Sequence, residues 1–343
     1  MVSETERELS AHALLKVYEL TTKTHLKTLD MFAPGMVAGV TMEADETITA
    51  PRMYITGDTL MCFCGNESTL YHRTVDMTGD DPSAWTASNI SIFQMTMKDA
   101  TGADVLANVT SANVKIHLEY VLGDAYAGYV GLAPWFRNLD RIAVHGTDWY
   151  SVLELSDEIG AALSNIAMLV KSTDSGASWS FISPAAYTTT SRRRMLENSA
   201  VFIGDVLHII HRMNSNDIGH VHTVDYGANW VVDSNITGTL ASKPTAINYY
   251  KHDGTIGVLL ALSLTSEVTS NTYRTTLGIY STDNFTSLIE VAKIVSGSYD
   301  HYPSLCHYSR ALYLSYTKAL KSSTDGVSNG THTRDTIVVT RVY

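Results

Sequence analysis

Ser172-Thr173-Asp174-Ser175-Gly176-Ala177-Ser178-Trp179 is the stretch that decides the fold. Asp174 and Ser172 are placed to accept hydrogen bonds from the amides of a tight turn. Gly176 tolerates φ > 0, and Trp179 opens the following strand as an apolar anchor. Together they describe a hairpin with a locked tip. The pattern returns as Thr223-Val224-Asp225-Tyr226-Gly227-Ala228-Asn229-Trp230, with hydroxyl, Asp, Gly and Trp in register and Asn229 in place of the second hydroxyl. Two fainter echoes are Ser281-Thr282-Asp283-Asn284-Phe285-Thr286, without Gly or Trp, and Thr74-Val75-Asp76 running through an insertion to Trp85. A recurrence of about 40 to 50 residues is the period of a repeated sheet unit.

Each turn follows segments with period-two alternation of apolar and polar residues, the mark of half-buried antiparallel strands. They include Asp140 to His145 with Trp149 to Leu153, Arg52 to Ile55 with Thr59 to Phe63, Ala200 to Ile203 with Val206 to Ile210, and Ser304 to His307 with Leu312 to Tyr316. Pro51, Pro134, Pro244 and Pro303 punctuate four of the entries into these units. The region from Ile90 to Val121 reads equally as a further unit or as an insertion. The segment from Glu4 to Met31 has another texture. Leu9, Ala13, Leu14, Val17, Tyr18 and Leu20 are spaced for one helical face, with Ser3 placed to cap it, so a helical extension is expected there. Phe32 to Val40, carrying Pro34, Gly35 and Gly39, reads as the linker into the repeats.

The pattern S-x-D-x-G-x-[ST]-W, complete in 172–179 and nearly so in 223–230, resembles the Asp-box (BNR repeat) of sialidase-like β-propellers. The resemblance implies an all-β fold, a five- or six-bladed β-propeller over 41–343, behind an N-terminal helical extension and linker over 1–40. On this reading Ser172, Asp174, Gly176, Trp179, Thr223, Asp225, Gly227 and Trp230 are structural residues that close hairpins.

Composition bounds the function. A 343-residue chain with 45% hydrophobic and 17% charged residues has ample material for a core. Near-zero mean hydropathy (−0.01) and the lack of a long apolar run argue against a membrane span. A net charge of −11 argues against nucleic acid, whose phosphates call for a basic surface. Cys62, Cys64 and Cys306 form no disulfide framework and no C-x-x-C pair, so they read as small buried hydrophobes. The polar, acidic start Met1-Val2-Ser3-Glu4-Thr5-Glu6 reads as no signal peptide.

The resemblance also proposes site residues. Trp135-Phe136-Arg137-Asn138-Leu139 stands where sialidases carry [FY]-R-I-P, with Asn138-Leu139 departing from Ile-Pro. It implies that Arg137 grips a substrate carboxylate, a task suited to the guanidinium fork. Asp157, in Leu155-Ser156-Asp157-Glu158-Ile159, stands where the family has its general acid; the bland alternative is a solvated loop charge. The nucleophile and its partner would be Tyr302 and Glu197. Arg192, Arg193, Arg194, Arg212 and Arg310 are further candidates for an arginine cluster. Trp135, Arg137, Tyr299 and Tyr302 are the candidate ligand-binding residues, because aromatic faces stack on sugar rings. His220 and His222 share one strand face, while His208 and His211 lie on opposite faces of the strand before. With no carboxylate or Cys in sight to complete a ligand set, neither metal nor cofactor is expected.

The chain is therefore expected to be a non-enzymatic virion protein, a phage tail or fibre propeller assembled in the host cytoplasm. It would bind a host surface glycan or brace neighbouring virion proteins, as part of an oligomeric tail assembly. Two alternatives stay open: a sialidase-like glycoside hydrolase acting on acidic sugars, and a pure scaffold.

Overall fold

The computed structural model describes residues 13–19, 22, 24–32, 49–65, 69–123, 134–139, 141–157, 166–185, 195–213, 217–236, 241–251, 253–265, 274–295, 299–308, 311–319 and 335–341. Strand follows strand through all of them but one helix and a 3₁₀ turn. The order opens with β1 (Ala13–Tyr18), β2 (His25–Phe32), β3 (Thr49–Thr56), β4 (Thr59–Gly65), β5 (Leu70–Asp76), β6 (Thr86–Ala87) and β7 (Ser91–Ile92). Next come β8 (Gln94–Lys98), β9 (Asp104–Asn108), the helix α1 (Ser111–Leu122), β10 (Pro134–Leu139), β11 (Ala143–His145), β12 (Asp148–Asp157), β13 (Ile166–Ser172) and β14 (Ser180–Pro184). β15 (Leu196–Ile203), β16 (Val206–Arg212), β17 (Ile218–Thr223) and β18 (Val231–Val232) form one sheet in chain order. So do β19 (Ala241–Tyr250), β20 (Ile256–Thr265), β21 (Arg274–Thr282) and β22 (Ile289–Val295), and then β23 (Tyr299–Tyr308), β24 (Ala311–Ala319) and β25 (Asp335–Arg341). Up-and-down antiparallel sheets of this kind are the unit that propellers repeat.

The chain divides into two compact units, Met1–Ile142 with Thr147–Ile182, and Ala143–Gly146 with Ser183–Tyr343. In the first, β3-β4-β5-β6 form a meander with β7 beside β5. Its core takes Cys62 and Cys64 on one face of β4, together with Met31, Phe32, Leu60, Tyr71 and Val75. Burial pushes the Cys62 thiol up to about 12 and the Cys64 thiol up as well, so both are kept as uncharged apolar side chains. Cys306 departs from the expectation: it is exposed, because strand alternation in β23 points it away from the buried Leu305. In the second unit one core cluster gathers Val201, Ile210, Val258 and Leu260, and another gathers Ile247, Leu259, Ile279, Leu305 and Leu314. A sheet with two apolar faces is covered only by its neighbours, and the repeat supplies them.

The expected N-terminal helix is corrected over its described residues: β1 and β2 pair as an antiparallel hairpin. The Glu19 amide donates to the Thr24 carbonyl (2.9 Å) to close the turn. Lys27 Nζ caps the Ser83 and Trp85 carbonyls at 2.7 Å each. Met31 and Phe32 are fully buried in the core of the β3–β7 sheet. That burial outweighs a helical periodicity which had only propensity behind it. Ser3, Leu9 and the 33–40 linker lie outside the described residues. The ambiguous region is an insertion: the β8–β9 hairpin joins β14 in parallel at Ser180↔Thr96, and α1 follows it. Thr110 caps α1 by accepting from the Asn113 amide, and His117 Nδ1 accepts from the Lys98 amide at 2.9 Å.

The two turns read from sequence have one geometry. Asp174 Oδ1 accepts from the Ser178 amide (2.8 Å) and the Ser172 hydroxyl (2.8 Å), and Asp174 Oδ2 from the Ser178 hydroxyl (2.5 Å). Ser172 Oγ in turn accepts from the Gly176 amide at 2.8 Å. Around Asp225 the same four bonds run through Thr223, Gly227 and Asn229, whose amide and Nδ2 donate at 2.8 and 2.7 Å. Bonds from Ser178 and from Asn229, foremost, hold the two Asp carboxyls below their ordinary range. Ser175 and Tyr226 both take positive φ, at 57° and 56°. In the third turn the register is one residue later than the sequence suggests. Phe285 has the positive φ (59°), Asn284 stands where the Asp would be, and Asp283 instead meets Lys251 Nζ at 2.5 Å. The fourth keeps the indole bond of the first: Trp85 Nε1 donates to Gly79 O (3.2 Å) as Trp179 Nε1 donates to Gly176 O (3.1 Å).

Two outcomes are expected. A Cβ on Gly176 (φ 89°) would lie 2.6 Å from the Trp149 ring and 3.0 Å from Met61, whereas one on Gly57 (φ 53°) meets nothing. Gly57→Ala should then cost about 1–2 kcal/mol for left-handed backbone alone, and Gly176→Ala distinctly more, in urea unfolding. His117 is held down to about 4, first by burial and then by the Lys98 ammonium, against an ordinary 6.5. A base depressed in the native state leaves the unfolded chain holding more protons in that window. Its contribution is whole above pH 6.5 and is lost as pH falls towards 4. His117→Asn, which keeps an acceptor but does not titrate, should flatten the fall in urea midpoint across that window.

Candidate functional site

The first strand of each meander breaks register, at one equivalent place in four of them and further from the hairpin in β10. β3 slips between Thr49 and Arg52, β10 between Phe136 and Asn138, β15 between Leu196 and Ser199, β19 between Ser242 and Thr245, and β23 between His301 and Ser304. The residues spanned are Ala50-Pro51, Arg137, Glu197-Asn198, Lys243-Pro244 and Tyr302-Pro303. In three of the five a proline, which has no amide hydrogen to give the ladder, accounts for the break. A bulge turns its side chains out of strict alternation and is a common device for presenting functional groups. Two of the four candidate catalytic residues, Glu197 and Tyr302, thus hold the same position in their own sheets, and Arg137 stands in a one-residue bulge further from its hairpin. Lys243 holds the shared position too and was not singled out by sequence; its place before Pro244, matching Tyr302 before Pro303, is the signal that could have found it.

In the second unit the bulges are tied together. Ser199 Oγ accepts from the Ala246 amide (3.0 Å), joining β15 to β19, and Thr245 Oγ1 donates to Pro303 O (2.7 Å), joining β19 to β23. Glu197 sits at φ 49°, a left-handed conformation that a glutamate adopts at a cost of about 1–3 kcal/mol. Its carboxylate meets Arg212 Nη1 at 3.3 Å, with the Glu197 side chain only 14% exposed. Beside it Asn198 is buried. Its Nδ2 donates to Met195 O (3.3 Å), and its Oδ1 has no hydrogen-bond partner among the described residues. A strained residue, an ion pair and an unsatisfied amide oxygen within one bulge are the marks of a segment shaped for something other than stability.

In the first unit, Arg137 lies at the β10 bulge and Asp157 ends the adjoining β12, paired with Pro134; Trp135 pairs with Ser156. The two candidates therefore sit near one end of one sheet. Glu154, opposite Asn138 beside that bulge, is buried, and sequence reading had passed over it. Tyr299 opens β23, ahead of its bulge. Arg192, Arg193, Arg194 and Arg310 lie outside the described residues.

The histidines form a second cluster, within the β15–β18 sheet. His208 and His222 face each other across β16 and β17. His208 Nδ1 is 2.8 Å from His220 Nε2, and the rings stack at 5.1 Å. A carboxylate does join them, contrary to the sequence reading: Asp233 Oδ2 lies 2.7 Å from His222 Nδ1 and 3.1 Å from His220 Nδ1. His211 faces the other way, its Nε2 filling the space a Cβ on Gly219 would need.

Neither a protein-family model nor a curated protein matches the sequence. Solved structures do match in fold. A mutant of Trypanosoma rangeli sialidase displaying trans-sialidase activity aligns at TM-score 0.63 and 14% identity, covering 92% of this chain and 48% of that one. The Trypanosoma rangeli sialidase in complex with the inhibitor DANA gives the same TM-score and identity over 98% and 50%. Its complex with sialic acid gives 0.61 and 13% over 96% and 49%. The chain thus spans about half the length of these sialidase chains. The likeness shows a sialidase-like β-propeller fold.

The ties between bulges carry a checkable consequence. Ser199→Ala leaves the buried Ala246 amide without its acceptor and should destabilise by about 1–3 kcal/mol in urea unfolding. Ile203→Val, on the same strand and away from the bulge, should cost less, about 0.5–1.5 kcal/mol.

Proposed function

We propose that the protein binds a carbohydrate bearing an acidic group through the first-strand bulges of its second unit. The observation that carries this reading is the recurrence of Glu197, Lys243 and Tyr302 at one register position. Lys243 supplies the donors a carboxylate requires, and Tyr302 supplies a face for a sugar ring. The sialidase-like fold supports the choice of ligand class. The primary role proposed is recognition without turnover, as an adhesin of a host-attaching particle would perform it.

The second reading is hydrolysis. It is favoured by one feature, the placing of Glu197 and Tyr302 at equivalent bulges of β15 and β23, each of which is hydrogen-bonded to β19 between them. There Tyr302 would attack the anomeric carbon, with Glu197 drawing off the phenol proton and the leaving oxygen taking a proton from water.

Glycan-array binding and hydrolysis of a fluorogenic sialoside, read on the same samples, test both. Binding without turnover, weakened at least about tenfold in Lys243→Ala, is the expected result for recognition by charge-assisted contacts. Turnover abolished in Tyr302→Phe with binding retained would move the assignment to a hydrolase. Neither binding nor turnover with any acidic glycan would overturn the proposal.

A further inference from the structure

We propose that His220, His222 and Asp233 form a binding site for a divalent transition-metal ion of the zinc type, independent of the glycan reading. The ligand set is two imidazoles and a carboxylate, which suits Zn²⁺, Co²⁺ or Ni²⁺ better than the oxygen-seeking Ca²⁺ or Mg²⁺. The topology delivers it. His220 and His222 project from one face of β17, two residues apart. The hairpin from β17 to β18 pairs His222 with Val231, so Asp233, two residues further out, comes opposite His220. The Asp233 amide donates to the His220 carbonyl at 3.1 Å.

The distances fit an ion. One ligand atom from each residue lies within 4.8 Å of the others, and Asp233 Oδ2 is 2.7 and 3.1 Å from the two Nδ1 atoms. Bonds of about 2.0–2.2 Å in a tetrahedral arrangement place donor atoms about 3.3 Å apart. Asp233 Oδ2 would draw back from the two Nδ1 atoms by about 0.6 and 0.2 Å to reach that spacing. His208 completes the surroundings: with His220 Nδ1 on the metal, the proton resides on His220 Nε2, which then donates to His208 Nδ1 across the 2.8 Å contact. A metal-ligating histidine anchored through its second nitrogen is the usual arrangement. The Phe285 ring, 4.9 Å from His220 and 5.4 Å from His208, walls the inner side. His222 and Asp233 are partly exposed, which gives an ion a way in and leaves a coordination position for water. The ion would pin the segment after β18 to the body of its sheet.

Without an ion the same atoms form a hydrogen-bonded set, both Nδ1–H groups donating to Asp233. The experiment separates the two states. The full chain, stripped with chelator, is titrated with ZnCl₂ by calorimetry and with Co²⁺ by visible absorption, beside His222→Ala and Asp233→Asn. These two substitutions lie at partly exposed positions, and circular dichroism confirms that each variant is folded. One ion per chain, a raised thermal midpoint with Zn²⁺, and loss of both in each variant is the expected result. His208→Phe should weaken binding about 10- to 100-fold without abolishing it. No stoichiometric binding by the wild type, or binding unchanged in both variants, overturns the proposal.

Discussion

A carboxylate at the tip of a hairpin sets the arrangement on which much of this molecule depends. Asp174 gathers an amide and two hydroxyls, and Asp225 gathers an amide, a hydroxyl and a side-chain amide, each in a turn whose next residue has positive φ. Such a turn admits one loop length, and a fixed loop length fixes the register of the strands on either side. Strands that slip by one residue would send every apolar side chain to the wrong face. The Asp225 turn shows how far the constraint reaches. By pairing His222 with Val231 it selects Asp233 from all the acids of the chain to stand beside His220 and His222.

The fold was legible because that constraint is local. Residues 172–179 and 223–230 carry their own hydrogen-bond partners within eight positions, so reading them needs no tertiary knowledge. The third turn shows where this stops. Ser281-Thr282-Asp283 matches the pattern by letter, yet the chain uses Thr282 and Asn284, because Lys251, some thirty positions upstream, claims Asp283. The N-terminal segment failed for a related reason. Its apolar residues satisfy a helical spacing, but the deep burial of Met31 and Phe32 in another sheet rewards extended backbone, and that reward is invisible at the level of propensity.

Site residues divide in the same way. Tyr302 and Lys243 precede prolines, and Arg137 precedes an asparagine in a motif-like run, so their strand positions could be read. That Glu197 adopts φ 49° against Arg212 could not, since neither partner signals it. Asp233 lay within reach: it is as far beyond Trp230 as His220 is before Thr223, and hairpin symmetry alone pairs them. The signal was present in the spacing but required the turn to be treated as a ruler.

Strand β16 brings the two polar clusters into one picture. Arg212, at its end, meets Glu197 at the bulge, while His208, four residues earlier and so roughly 13 Å along the strand, meets His220. Between them Ile209 and Ile210 are fully buried, one on each face. Apolar rungs of this kind transmit little charge but hold position firmly, so the two ends of the sheet are free to serve different ends. The bulge end is strained and incompletely satisfied, as suits the ligand contact proposed for it. The histidine end sits beside the locked Asp225 turn, where an ion's contribution would go to holding the outer strand in place. A sheet of four short strands, with Val231 and Val232 exposed on the outermost, has the most to gain from a fastening at that edge. The meander itself brings first-strand bulges to one side of the sheet and hairpin tips to the other, and so sets the proposed recognition and the proposed fastening at opposite ends.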